Sequence, residues 1–209
     1  MRHIVLVGDS IFDNASYVDV GHSVTDQLKA AVSDGCQVTM LAVDGDVVLN
    51  VIDQLQDLPE DTSHVFISCG GNDALAVAHV LSQPANNVGE VMDMFTDIKS
   101  DFEKRYQSML TQVQSQVENI TICSVHDSIP GFEQSALTAL SFFNEVILKE
   151  AFRINAALID LRLICNEASD YSSVSPIEPS KQGGTKIVEQ IIKVVENHNF
   201  DSGQSWIYK

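Results

Sequence analysis

Val5-Leu6-Val7-Gly8-Asp9-Ser10-Ile11-Phe12-Asp13-Asn14 decides the reading of this chain. Ile4 to Val7 are aliphatic without a polar break, as expected of a strand covered on both faces. Gly8 lets the backbone leave that strand sharply, so Asp9 and Ser10 stand where a helix would begin, with backbone N–H groups pointing out of the sheet end. Such a corner suits an exposed nucleophile beside an anion site. It equally suits an ordinary helix cap, for which Ser and Asp are favoured. Segments further along must decide between the two.

Outward from this corner the chain alternates. Val24 to Val32 reads as a first helix, Gln37 to Val43 as a second strand ending at Asp44-Gly45-Asp46, and residues 47 to 58 as a helix stopped by Pro59. His64 to Cys69 is a third buried strand, closed by Gly70-Gly71-Asn72-Asp73, with a short helix from Ala74 to about Leu81 and a surface loop over residues 82 to 89. Residues 90 to 117 carry apolar side chains every third or fourth position and predict one long helix. Ile120 to Val125 is a fourth strand ending at His126-Asp127. A helix from Glu133 to Asn155, a short strand from Ala157 to Leu161, a loop over residues 162 to 180 and a helix from Lys181 to Asn197 complete the pattern. The tail, 199 to 209, is expected to be frayed or draped on the surface. The prediction is one α/β domain over residues 1–209, a three-layer, flavodoxin-like, doubly wound fold with a five-stranded parallel sheet in the order 2-1-3-4-5.

Composition narrows the function. With 29 acidic against 12 basic residues the formal charge is -17, which repels nucleic acid, anionic lipid and highly phosphorylated substrates. Partners are therefore expected to be small neutral or weakly charged molecules, with no nucleic acid and no membrane. A first strand starting near Met1 leaves no room for a signal peptide, which gives a cytoplasmic expectation. Cys36, Cys69, Cys123 and Cys165 are scattered singly, without metal or redox spacing. All four are expected to be structural.

In a doubly wound sheet ligands bind beyond the carboxyl ends of the strands, near the point where strand order reverses. Three such ends carry Gly8-Asp9-Ser10, Gly45 and Gly70-Gly71-Asn72-Asp73. Neighbouring strands lie about 4.8 Å apart, so these groups can share one small space. A serine, free backbone N–H groups and an Asn amide there make a nucleophile with an oxyanion hole. Taken singly, Gly45 can be a turn glycine and Asn72-Asp73 a loop bonding its own backbone.

These blocks resemble the SGNH (GDSL-type) esterase and lipase superfamily, in order and spacing over the whole chain. The resemblance implies Ser10 as nucleophile and an oxyanion hole from the Ser10 and Gly45 N–H groups and the Asn72 side chain, with no metal or organic cofactor. The fourth block departs from the family pattern. Where the family has Asp-x-x-His before the last helix, this chain has Ser175-Pro176-Ile177-Glu178-Pro179, placing Glu178 at the position of the His base.

Glu178 can itself be the base if burial near the acidic residues Asp9, Asp13, Asp44, Asp46 and Asp73 lifts it from about 4.3 toward neutrality. Of the six histidines only His126 lies on the functional face, two strands from Ser10 and so roughly 10 Å away, a place for touching substrate. Asp9 and Asp73 are further candidates for substrate binding, and Asp170 and Tyr171 for orienting Glu178. The resulting expectation is a serine ester hydrolase acting on a small acyl or acetyl ester. The alternatives are a binding protein on the same scaffold and, lower, a Mg²⁺-dependent phosphohydrolase, against which stands the absence of two aspartates spaced one apart after the first strand.

Overall fold

The computed structural model describes residues 2–209. β1 (Arg2–Gly8), β2 (Cys36–Met40), β3 (His64–Ser68), β4 (Ile120–Cys123), β5 (Ala157–Ile159) and β6 (Ile207–Tyr208) form one sheet in the order β2-β1-β3-β4-β5-β6, every pair parallel. The order matches the sequence expectation for the first five strands. The sixth corrects it. The tail is not frayed: Trp206 and Tyr208 carbonyls accept the Leu158 and Asp160 N–H groups at 2.9 and 3.1 Å, and the tail closes the open edge of β5.

The helices are α1 (Val24–Ala31), α2 (Val48–Gln54), α3 (Gly71–Val77), α4 (Val88–Gln114), α5 (Gln134–Arg153), α6 (Leu161–Ile164) and α7 (Lys181–Asn197). They pack in two groups, α1, α6 and α7 together and α2, α3, α4 and α5 together, one group to each face of the sheet. This is why β1, β3 and β4 are buried on both faces and read as unbroken apolar runs. Helix ends follow local chemistry. Ser23 caps α1 by accepting from Asp26 N–H, Asn87 caps α4 by accepting from Glu90 N–H, and Ser180 caps α7 by accepting from Gln182 and Gly183 N–H. The long α4 buries Phe102, Tyr106, Met109 and Val113 along one stripe.

Two features of the fold place the site. Gly8, at φ 123°, pairs with Ser68, and a Cβ there would lie 1.8 Å from the Ser68 carbonyl oxygen. Only glycine lets β1 end this close to β3 and turn upward. At the other side, the loop before α7 is tied to the molecule at several points. Ser180 N–H donates to the Asp170 carbonyl, Ser172 N–H to the Glu178 carbonyl, and Asn14 Nδ2 to the Pro179 carbonyl, at 2.8, 2.8 and 3.0 Å. Asn14 also accepts from Val24 N–H. The first and last loops are thereby stitched over the end of β1.

Candidate active site

Asp9, Ser10, Asn72, His126 and Glu178 line one cavity at the carboxyl ends of β1, β3 and β4. Each arrives on a different segment: Asp9 and Ser10 on the turn after β1, Asn72 in the first turn of α3, His126 after β4 and Glu178 on the stitched loop before α7. Ser10 is almost buried, and among the described residues its backbone N–H and that of Gly45 donate to nothing in the chain. Asn72 gives one amide hydrogen to the Asp46 carbonyl at 2.9 Å, which fixes the side chain and leaves the second hydrogen free.

Glu178 is 2% exposed and faces the Ser10 hydroxyl. Burial raises its carboxyl from 4.5 to about 7, the neighbouring Ser10 hydroxyl pulls it back down, and the charge of Asp44 pushes it up. Its Oε2 has no hydrogen-bonding partner among the described residues. Asp9 is likewise raised to about 7, first by burial; the Ile11 N–H bond pulls it down, and the charge of Glu178 pushes it up. The Asp9 carboxylate accepts from Ile11 N–H at 3.2 Å and from the Ser68 hydroxyl at 3.3 Å, so it shapes the turn that presents Ser10.

His126 is buried and held neutral, its pKa lowered to about 4 by burial, with the Ile177 backbone opposing the shift, and its Nδ1 has no hydrogen-bonding partner among the described residues. Its ring stands edge-on to Tyr171 at 4.9 Å. His126 forms part of the cavity wall. Tyr171 reaches the Cys165 carbonyl, and Asp170 is bound by Lys186, Gln182 and Glu167 N–H. Neither side chain orients the Glu178 carboxylate.

Two predicted site residues are not in the cavity wall. Gly45 lies on an exposed turn, at φ 86°. Asp73 is a correction to the substrate-binding expectation: its carboxylate is 0% exposed and accepts from Val48 N–H at 3.0 Å and from Arg105 at 2.8 Å. Buried charge here is paired, and the pair ties the α2 end of the Gly45 turn to α3 and α4.

Sequence reasoning missed the rest of the wall. Leu75, Leu81, Phe95, Phe132, Leu137 and Phe143 make the cavity strongly apolar away from Ser10 and Glu178. All but Phe132, which lies in the loop before α5, sit on helical stretches whose apolar residues look like core in sequence, and the convergence of α3, α4 and α5 turns them into a pocket. Among the described residues, no group of three or more His, Cys, Asp or Glu is placed to hold a metal ion, and no helix is long and apolar enough to cross a membrane.

Comparison with known proteins bears on the fold and the family. Among solved structures, LAE5, an alpha/beta hydrolase enzyme from the metagenome of Lake Arreo, Spain, superposes with a TM-score of 0.72 at 14% identity, over 95% of this chain and 96% of that one. A member of the lipolytic G-D-S-L family from Veillonella parvula gives 0.70 at 17% identity, over 95% and 100%. A mutant of Axe2, an acetyl-xylooligosaccharide esterase from Geobacillus, gives 0.70 at 13% identity, over 100% and 97%. These likenesses show a shared fold. Among curated proteins a sequence search finds no match. The sequence profile of the GDSL-like Lipase/Acylhydrolase family matches residues 6–183, spanning the Ser10 turn, the Asn72 turn and Glu178. The chain therefore belongs to the GDSL-like lipase/acylhydrolase family, within the SGNH superfamily, and is an esterase by class.

Proposed function

We propose that the protein cleaves neutral carboxylic esters whose acyl group is apolar and larger than acetyl, with Ser10 as nucleophile and Glu178 as its base. The observation that carries this reading is the buried Glu178 carboxyl beside the Ser10 hydroxyl, raised to about 7. At that value it is ionised in a large fraction at neutral pH, yet basic enough to accept a proton as the serine attacks.

In this mechanism Ser10 Oγ adds to the ester carbonyl carbon and its proton passes to Glu178. The negative charge on the carbonyl oxygen is met by the Ser10 and Gly45 N–H groups and the free amide hydrogen of Asn72. Collapse breaks the bond to the leaving alcohol, which takes the proton from Glu178. Water then adds to the acyl-serine by the same route in reverse, Glu178 again taking and returning the proton, and the carboxylic acid leaves.

Within the small acyl or acetyl range expected from sequence, the apolar walls beyond Ser10 favour an acyl chain over acetyl, because burying each methylene contributes about 0.8 kcal/mol. A series of p-nitrophenyl esters of increasing chain length tests the reading. Specificity constants should rise from the acetate to medium-chain esters, and Asn72→Ala should lose about 2.7–4 kcal/mol of transition-state stabilisation throughout the series. A flat series would remove the acyl-pocket assignment, and an unaffected Asn72→Ala would remove the oxyanion role.

A further inference from the structure

We infer that Gln54 is a positioning residue of the oxyanion site: its side-chain amide locks the end of β1 to the Gly45–Asp46 turn. The inference rests on the ester-hydrolase reading of Ser10, Gly45 and Asn72.

The sheet creates the need for it. β2 pairs with β1 only as far as Met40 opposite Leu6; beyond it the chain still supplies a donor to the Gly8 carbonyl through Val43, but no main-chain acceptor meets the Gly8 N–H. Gln54 supplies one. Its Oε1 accepts from Gly8 N–H at 2.8 Å and its Nε2 donates to the Gly8 carbonyl at 2.8 Å, as a neighbouring peptide unit would. The same Nε2 donates its other hydrogen to Asp46 Oδ2 at 2.8 Å. Every polar atom of this nearly buried side chain is thus matched.

The chain of bonds continues. The Asp46 carbonyl accepts from Asn72, and the Gly8 carbonyl also accepts from Val43 N–H at 3.1 Å. One amide therefore bonds two of the segments that carry the oxyanion donors, two residues before Ser10 and one residue after Gly45, and reaches the third, at Asn72, through Asp46 by two hydrogen bonds. Gln54 touches no reacting atom. Its effect is to keep the turn from drifting, since donors must already be in place when charge develops.

The test uses the full chain and a p-nitrophenyl ester, with kcat, KM and thermal melting read for Gln54→Met and Asp46→Ala. Gln54→Met removes the clamp at similar volume, and Asp46→Ala cuts only its link to the turn. For both, kcat should fall about 10- to 100-fold, below the cost of deleting a donor outright, while KM stays within about twofold. If both variants keep the wild-type kcat below their melting transitions, whatever their melting temperatures, Gln54 is merely structural and the inference fails. Should Gln54→Met not fold, an unchanged kcat in Asp46→Ala alone overturns it. A wild type that turns over no ester in the series instead overturns the underlying reading, before any variant is compared.

Discussion

At the scale of single residues, the chemistry turns on a carboxyl kept out of water. Glu178 and Asp9 are both raised to about 7, burial being the first cause for each, so both are more protonated in the folded chain than in the unfolded one between their ordinary values and about 7. Such groups make stability fall as pH rises through that window, because the native state must release protons it would rather hold. Glu178→Gln removes half of this effect. Its melting temperature should equal that of the wild type near pH 4, exceed it increasingly up to about pH 7, and keep a constant lead above. Equal melting curves at pH 8 would mean that Glu178 ionises without strain and is no tuned base. The residue scale was also where the sequence was most legible. Ser10, Asn72, Asp9, His126 and Glu178 were identifiable from strand-end position and family spacing, and they meet in one cavity. Asp73 was misread, because its partner Arg105 lies far along the chain, on α4, and no local pattern announces the pair.

Elements show a different limit. Strands β1, β3 and β4 were readable because burial on both faces leaves unbroken apolar runs, and α4 because its stripe repeats over many turns. β6 was not. Ile207-Tyr208 is too short to show a period, and what makes it a strand is the unpaired edge of β5. Gln54 was missed for a related reason, though a signal existed: a polar residue on the buried face of α2, in step with Val48 and Val51. The tail also covers His198, whose ring lies 4.5 Å from Phe200, 5.8 Å from Trp206 and 5.9 Å from Tyr208, and whose pKa burial lowers. Deleting residues 200–209 should therefore lower stability by about 1–3 kcal/mol through lost apolar cover and edge hydrogen bonds. The difference should shrink as pH falls below about 6.5, where the unfolded chain gains a proton that a covered His198 resists. A truncated chain with the wild-type melting curve would show that β6 adds nothing.

For the whole molecule, charge sets the terms. A formal charge of -17 means self-repulsion in the folded state and a field that disfavours anionic substrates. Raising ionic strength from about 0.05 to about 0.5 M shortens the reach of that field well below molecular dimensions. The melting temperature should rise by about 2–4 °C, corresponding to roughly 1 kcal/mol in a chain of this size. Specificity constants for an ester with an anionic leaving group should rise with salt, while those for a neutral ester of the same acyl chain stay level. Parallel salt responses for the two esters would place the charge too far from the site to matter.

All three scales meet in the claim that Ser10 is activated by Glu178. Fluorophosphonate labelling with peptide mapping, run across pH on the wild type, Ser10→Ala and Glu178→Gln, tests it most directly. A single label on Ser10 is expected, at a rate rising with pH to a plateau with its midpoint near the Glu178 value of about 7, and no label in either variant. A folded wild type that takes no label, or a Glu178→Gln variant labelled as fast as the wild type, would contradict it.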